Sequence, residues 1–115
     1  MDEITFKHFL QVDIRCGTVI SAEPFPKAKI PAYIIKADFG PEIGIKKTSA
    51  RITDLYDEKD LVGRKVMGVI NVPKKQIGSI MSEFLILGFS VDGKQHGEIV
   101  LAVPDSHVPN GAKLH

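Results

Sequence analysis

With 115 residues, 43% hydrophobic and 25% charged, the chain has the make-up of one ordinary domain with a single core. No window reaches the roughly 18 consecutive apolar residues of a membrane span, the Met1-Asp2-Glu3 start is acidic where a signal peptide is basic, and a lone Cys16 excludes an internal disulfide and fits a reducing cytoplasm. The net charge of +1 argues neither for nor against a nucleic-acid partner, so only the distribution of charge can.

Residues 4–10 are expected to form a short helix, with Phe6, Phe9 and Leu10 at the i, i+3, i+4 spacing of one apolar stripe. So short a helix must pack on something, either a partner surface or the open end of its own barrel. Val12, Ile14, Cys16, Thr18 and Ile20 then alternate with Asp13, Arg15, Gly17 and Ser21, which predicts a half-buried strand with Cys16 as a packed thiol. Pro24, Pro26 and Pro31 break the next stretch into a loop holding Lys27 and Lys29. A second strand carries Tyr33, Ile35, Ala37 and Phe39. After a turn at Gly40-Pro41-Glu42, a third strand over 43–50 puts Lys46 and Lys47 on opposite faces.

Thr53 or Asp54 is expected to cap a helical turn through Tyr56 and Lys59. A strand over 65–72, apolar almost throughout, reads as buried on both faces. A loop is expected from Pro73 to Ser82, followed by strands over 84–89 and 99–103 joined across Asp92-Gly93-Lys94. Pro104, Pro109 and Asn110-Gly111 are turn residues in the tail. Many short strands with one small helix between the third and fourth predict an all-β fold over 1–115, a five-stranded OB-fold barrel that binds oligonucleotides on one face. An immunoglobulin-like sandwich is the rival, but its core Cys and Trp residues are missing.

Between Leu61 and Met81 the chain has Arg64, Lys65, Lys74 and Lys75 and no carboxylate. An apolar strand ending in paired lysines can hold fixed cations against a phosphate backbone, and it can equally be a strand with a solubilised loop. His8, His96, His107 and His115 do not fall at metal-ligand spacing with one another or with Cys16. Asp54, Asp57, Glu58 and Asp60 cluster with Lys59 as a solvated charged turn. No phosphate loop and no nucleophile elbow is present, so the expectation is a non-enzyme without catalytic residues, metal or cofactor.

Asp13-Ile14-Arg15-Cys16-Gly17-Thr18-Val19 resembles the entry motif of the tRNA-binding domain family. Val69-Ile70-Asn71-Val72-Pro73-Lys74-Lys75-Gln76-Ile77-Gly78 with Ser82 resembles its second hallmark. The stretches 39–50 and Val108-Pro109-Asn110-Gly111 are similar to one branch of that family, the CsaA proteins. The resemblance covers essentially the whole chain.

It implies an OB-fold barrel without catalytic activity, dimerised through the N-terminal helix (Phe6, Phe9, Leu10) and a C-terminal extension. Its binding surface would lie around Asn71, Lys74, Lys75 and Ser82, with Arg15, Lys36, Lys46, Lys47, Arg64 and Lys65 as flanking cations. The lysines would neutralise phosphates, while Asn71 and Ser82 would read a base edge or a 2′-OH. Asn71 has an alternative, pinning its turn through the backbone. Ser82-Glu83-Phe84 departs from the family's usual Ser-Gln-Gly-Met, placing a carboxylate beside the expected phosphate face. The implied partners are tRNA or other structured RNA and a second copy of the chain. The alternative is an export-related chaperone that holds unfolded preproteins on the same surface.

Overall fold

The computed structural model describes residues 1–26, 28–94 and 98–115, so Lys27 and His96 lie outside the described residues. The elements run α1 (Phe6–Leu10), β1 (Ile14–Pro24), β2 (Tyr33–Asp38), β3 (Ile45–Ala50), α2 (Glu58–Leu61) and β4 (Lys65–Val69). There follow β5 (Lys75–Ile77), β6 (Ile80–Ser82), β7 (Leu85–Ile86), β8 (Gly88–Ser90) and β9 (Ile99–Leu101). One antiparallel sheet has the order β3-β2-β1-β4-β7, while β5 pairs with β6 and β8 with β9. The sheet curls until β3 reaches the segment before β7, giving the nearly closed all-β barrel of an OB-fold.

A buried hydroxyl ties the closing edge together. Thr48, 2% exposed on β3, donates to the Phe84 carbonyl at 2.8 Å and lies 2.9 Å from the Ser82 hydroxyl. Thr48 has one proton and the carbonyl can only accept, so Ser82 is the donor in the second bond. Inside the barrel Val19, Ile35, Phe39, Leu61, Val66 and Phe84 are fully buried. Phe39 and Phe84 meet edge to face at 5.0 Å.

The phase of β1 differs from the sequence expectation. Its core face is Gly17, Val19 and Ala22, not the series from Val12 to Ile20. Two features cause this. A Cβ on Gly17 would sit 2.9 Å from the Phe39 ring, so that position faces the core although it has no side chain to register as apolar. A bulge between Val19 and Ser21 then inserts Ile20 as an extra, exposed residue. Cys16 is buried outside the barrel core, where the C-terminal segment joins the free edge of β1. There Cys16 N–H donates to Ala112 O at 2.9 Å, Gly111 N–H to Cys16 O at 2.8 Å and Leu114 N–H to Ile14 O at 2.9 Å. Burial pushes the Cys16 thiol above its ordinary range, against a smaller opposing effect of Lys65.

Other boundaries shift for local reasons. The third strand starts at Ile45 because Gly44 N–H turns back to Gly40 O. The helical turn begins at Glu58 after Asp57, not at Thr53 or Asp54. β4 ends at Val69, one residue before Ile70 N–H donates to Asp13 O at the start of β1. The strand expected over 84–89 is two, because the chain changes partners at Leu87. Its N–H donates to Met67 O on β4, and its carbonyl accepts from Ala102 beside β9.

The expected loop from Pro73 to Ser82 contains a hairpin, β5–β6, turned by Gly78-Ser79 between the paired Ile77 and Ile80. Gly78 sits at φ +57°, the left-handed first position of a type II′ turn. Helix α1 is closed at its start by a capping box in which Thr5 Oγ1 accepts from His8 N–H and His8 Nδ1 accepts from Thr5 N–H. None of its residues is buried, so it does not plug its own barrel.

Candidate nucleic-acid interface

On β2 and β3 the core-facing residues include Tyr33, Ile35, Ala37, Thr48 and Ala50, which turns Lys36 and Lys47 to the outer face. These two lysines are direct cross-strand partners. Like charges directly opposite each other destabilise a sheet, so the pair is a fold-level cost that an anionic ligand would relieve. Lys46 belongs to the other phase, across from buried Ala37.

The β5–β6 hairpin adjoins this row through Lys74 and Glu83. Lys75 lies across from Ser82, and Lys74 directly precedes it. Glu83 joins hairpin to sheet: its N–H donates to Lys47 O at 2.7 Å, and its Oε1 accepts from Lys47 N–H at 3.0 Å. Its other oxygen, Oε2, is 3.8 Å from Lys74 Nζ. Lys36, Lys47 and Lys74 therefore form one strip from β2 to the start of the hairpin, while Lys75, on the opposite phase from Lys74, shares the hairpin face of its partner Ser82. Among the described residues only Lys74 of these four has an ion-pair partner.

The other expected site residues are engaged elsewhere. Arg15 Nε donates to Asp13 Oδ1 at 2.7 Å and Nη1 to Gly111 O at 3.0 Å. The bond to Asp13 raises its pKa above even the usual guanidinium range. Lys65 Nζ and the Thr18 hydroxyl both donate to Asn110 Oδ1, at 2.9 and 2.7 Å. Arg15 and Lys65 thus fasten the C-terminal segment. Arg64 donates to Asp60 O at 3.0 Å and stacks its guanidinium 5.2 Å over the Tyr56 ring, beside α2.

Asn71 has both ends of its amide occupied: Oδ1 accepts from Asp13 N–H at 3.0 Å and Nδ2 donates to Gln11 O at 2.7 Å. It fixes the link between α1 and β1 to the end of β4. Ser82 gives its proton to Thr48, as argued above. The sequence reading gave Glu83 no fastening role and missed Thr48 altogether; both act through contacts 36 residues away along the chain, which no local pattern reports.

Beside the strip, β3 and the hairpin also border an apolar groove of about 580 Å³. Phe25, Ile30, Ile52, Ile77, Leu85 and Ile99 line it, with the exposed Lys29 and Arg51. No three His, Cys, Asp or Glu side chains come together in metal-binding geometry among the described residues. Among the described residues no helix is long and apolar enough to cross a membrane.

This geometry agrees with what the chain resembles among known proteins. The family model described as "Putative tRNA binding domain" matches residues 14–113. The solved structure of chaperone CsaA from Bacillus anthracis strain Ames superposes with a TM-score of 0.91 at 39% identity, covering 99% of this chain and all of that one. The CsaA chaperone protein of Picrophilus torridus gives 0.88 at 37% identity over 98% of this chain and all of its own. Methionine–tRNA ligase 1 of Bacillus anthracis is 34% identical over 113 residues, 98% of this chain, but the chain spans only 16% of that ligase's length. An OB-fold barrel matched from its first strand to its C-terminal segment makes the chain a member of the tRNA-binding domain family, similar within it to the CsaA chaperones.

Proposed function

We propose that residues 1–115 act as one non-catalytic domain that binds tRNA or other structured RNA, as a homodimer presenting two basic barrel faces. The observation that carries this reading is the Lys36–Lys47 pair continued by Lys74, with Lys75 next to it in the hairpin, in a chain of the tRNA-binding family. Strip lysines neutralise phosphates and supply affinity without choosing sequence. Arg15, Arg64 and Lys65, held in intramolecular bonds, contribute mainly through the field they add, and Asn71 and Ser82 by holding the strip in place.

A second reading, an export-related chaperone, is favoured by the apolar groove and by the similarity to the CsaA structures. There the groove holds extended segments of unfolded preproteins for the export machinery. The single buried thiol suits a reducing compartment, so the cytoplasm is the proposed location for either role.

One double variant tests both readings. Lys74→Glu with Lys75→Glu is expected to weaken tRNA retention by at least about tenfold at low salt, while suppression of aggregation of an unfolded client is unchanged. Undiminished tRNA retention would remove these lysines from the site. A parallel loss of client protection would put both ligands on the strip.

A further inference from the structure

We propose that Glu83 is a specificity-determining residue that makes the lysine strip prefer ribose-phosphate over deoxyribose-phosphate. The inference rests on the RNA reading above. The two oxygens of Glu83 stand in different situations. Oε1 accepts the Lys47 amide at 3.0 Å while the Glu83 amide donates back to Lys47 O at 2.7 Å, so Glu83 is held at its backbone and at one carboxylate oxygen by one residue of β3. Its side chain is only 25% exposed. Oε2 has no such tether and lies 3.8 Å from the ammonium of Lys74, which is 66% exposed at the rim of the strip. The fixed atom is therefore Oε2, and the movable one is Lys74 Nζ.

A carboxylate oxygen accepts hydrogen bonds and donates none. A phosphate drawn to Lys74 meets a negative atom that cannot turn away, because turning would break the bond to Lys47. Phosphate alone is penalised there. A nucleotide whose sugar carries a 2′-hydroxyl brings a donor for Oε2 together with a phosphate for Lys74, and the penalty is relieved. The 2′-hydroxyl is the group by which a site tells RNA from DNA. The polar side chains expected from the sequence to do this, Asn71 and Ser82, have their donors engaged within the fold. Oε2 of Glu83 is an anionic acceptor beside the strip, stronger toward a hydroxyl donor than the neutral Ser82 oxygen.

Glu83→Gln separates the two roles. Its amide oxygen still accepts the Lys47 N–H, while the outward atom becomes an uncharged NH2 that no longer repels phosphate. The probes are a labelled tRNA and its all-deoxy counterpart of the same sequence, titrated by anisotropy at low salt, with urea unfolding as the check on the fold. The expected result is that Glu83→Gln raises affinity for the deoxy strand about fivefold or more, with a smaller change for tRNA, so that discrimination falls.

Lys74→Gln approaches from the other side and leaves the bonds of Glu83 to β3 untouched. It should weaken the deoxy strand by a larger factor than tRNA, because the carboxylate then stands unpaired. Equal factors for the two probes in both variants would overturn the inference and leave RNA binding intact. Failure of the wild-type chain and both variants to bind tRNA would overturn both.

Discussion

Asn71 illustrates what a residue type discloses and what it withholds. An Asn after a buried strand and before Pro73 marks either a ligand contact or a backbone clamp, and its hydrogen bonds run to Gln11 and Asp13, 60 and 58 residues away. Nothing local in the sequence shows that reach. Asn71→Ala is expected to lower stability by about 1 kcal/mol in urea unfolding, since both bonds lie near the surface. Its effect on tRNA affinity per folded molecule should stay within about twofold, because the strip lysines are anchored through β3 and Glu83. A large loss of affinity at unchanged stability would make Asn71 a ligand contact. Glu83 reads as a repulsive charge when only its sequence neighbours are considered. Its bonds to Lys47 are visible only once β3 and the hairpin are brought together.

At the scale of elements, the patterns that were legible are those in which apolar alternation runs longest. β2 was readable because Tyr33, Ile35 and Ala37 form an unbroken inward series. The hairpin β5–β6 was not, because each arm has three residues, though Ile77-Gly78-Ser79-Ile80 carries a Gly-Ser turn signal between apolar neighbours. Proline and glycine in the tail were readable as turns, but not as a strand-like segment closing the edge of β1.

That segment depends on a reciprocal close approach. A Cβ on Gly111 would lie 2.8 Å from Phe39 O, and one on Gly40 would lie 2.7 Å from Asn110 O. Gly111 is also at φ +91°, so a β-branched residue there adds backbone strain to the clash. Gly111→Val is expected to peel residues 110–114 from β1 and speed thiol labelling of Cys16 about tenfold or more in native buffer. Labelling as slow as in wild type would show that something other than this segment protects Cys16.

At the scale of the whole molecule, apolar side chains stand uncovered on α1 and on the β8–β9 hairpin. Phe6 is 70% exposed on α1, with Leu10 beside it, and Phe89 is 68% exposed on β8, with Val91 and Val100 near it in the β8–β9 hairpin. A five-residue helix with no buried side chain does not hold by itself, which supports the proposal that a second copy covers it. Phe6→Glu is expected to shift sedimentation from dimer to monomer at micromolar concentration. It should also lower tRNA affinity about tenfold or more through lost avidity, without touching the lysine strip. A variant that remained dimeric would move the interface away from α1.

The near-neutral net charge hides the strip, because carboxylates elsewhere balance it in the sum. RNA binding through Lys36, Lys47, Lys74 and Lys75 is tested most directly by anisotropy of labelled tRNA over a series of salt concentrations with duplex DNA as competitor. The expected result is binding that resists DNA and weakens with a log–log salt slope of roughly 3 for these four lysines. Absence of binding at low salt, or binding whose strength ignores salt, would contradict it.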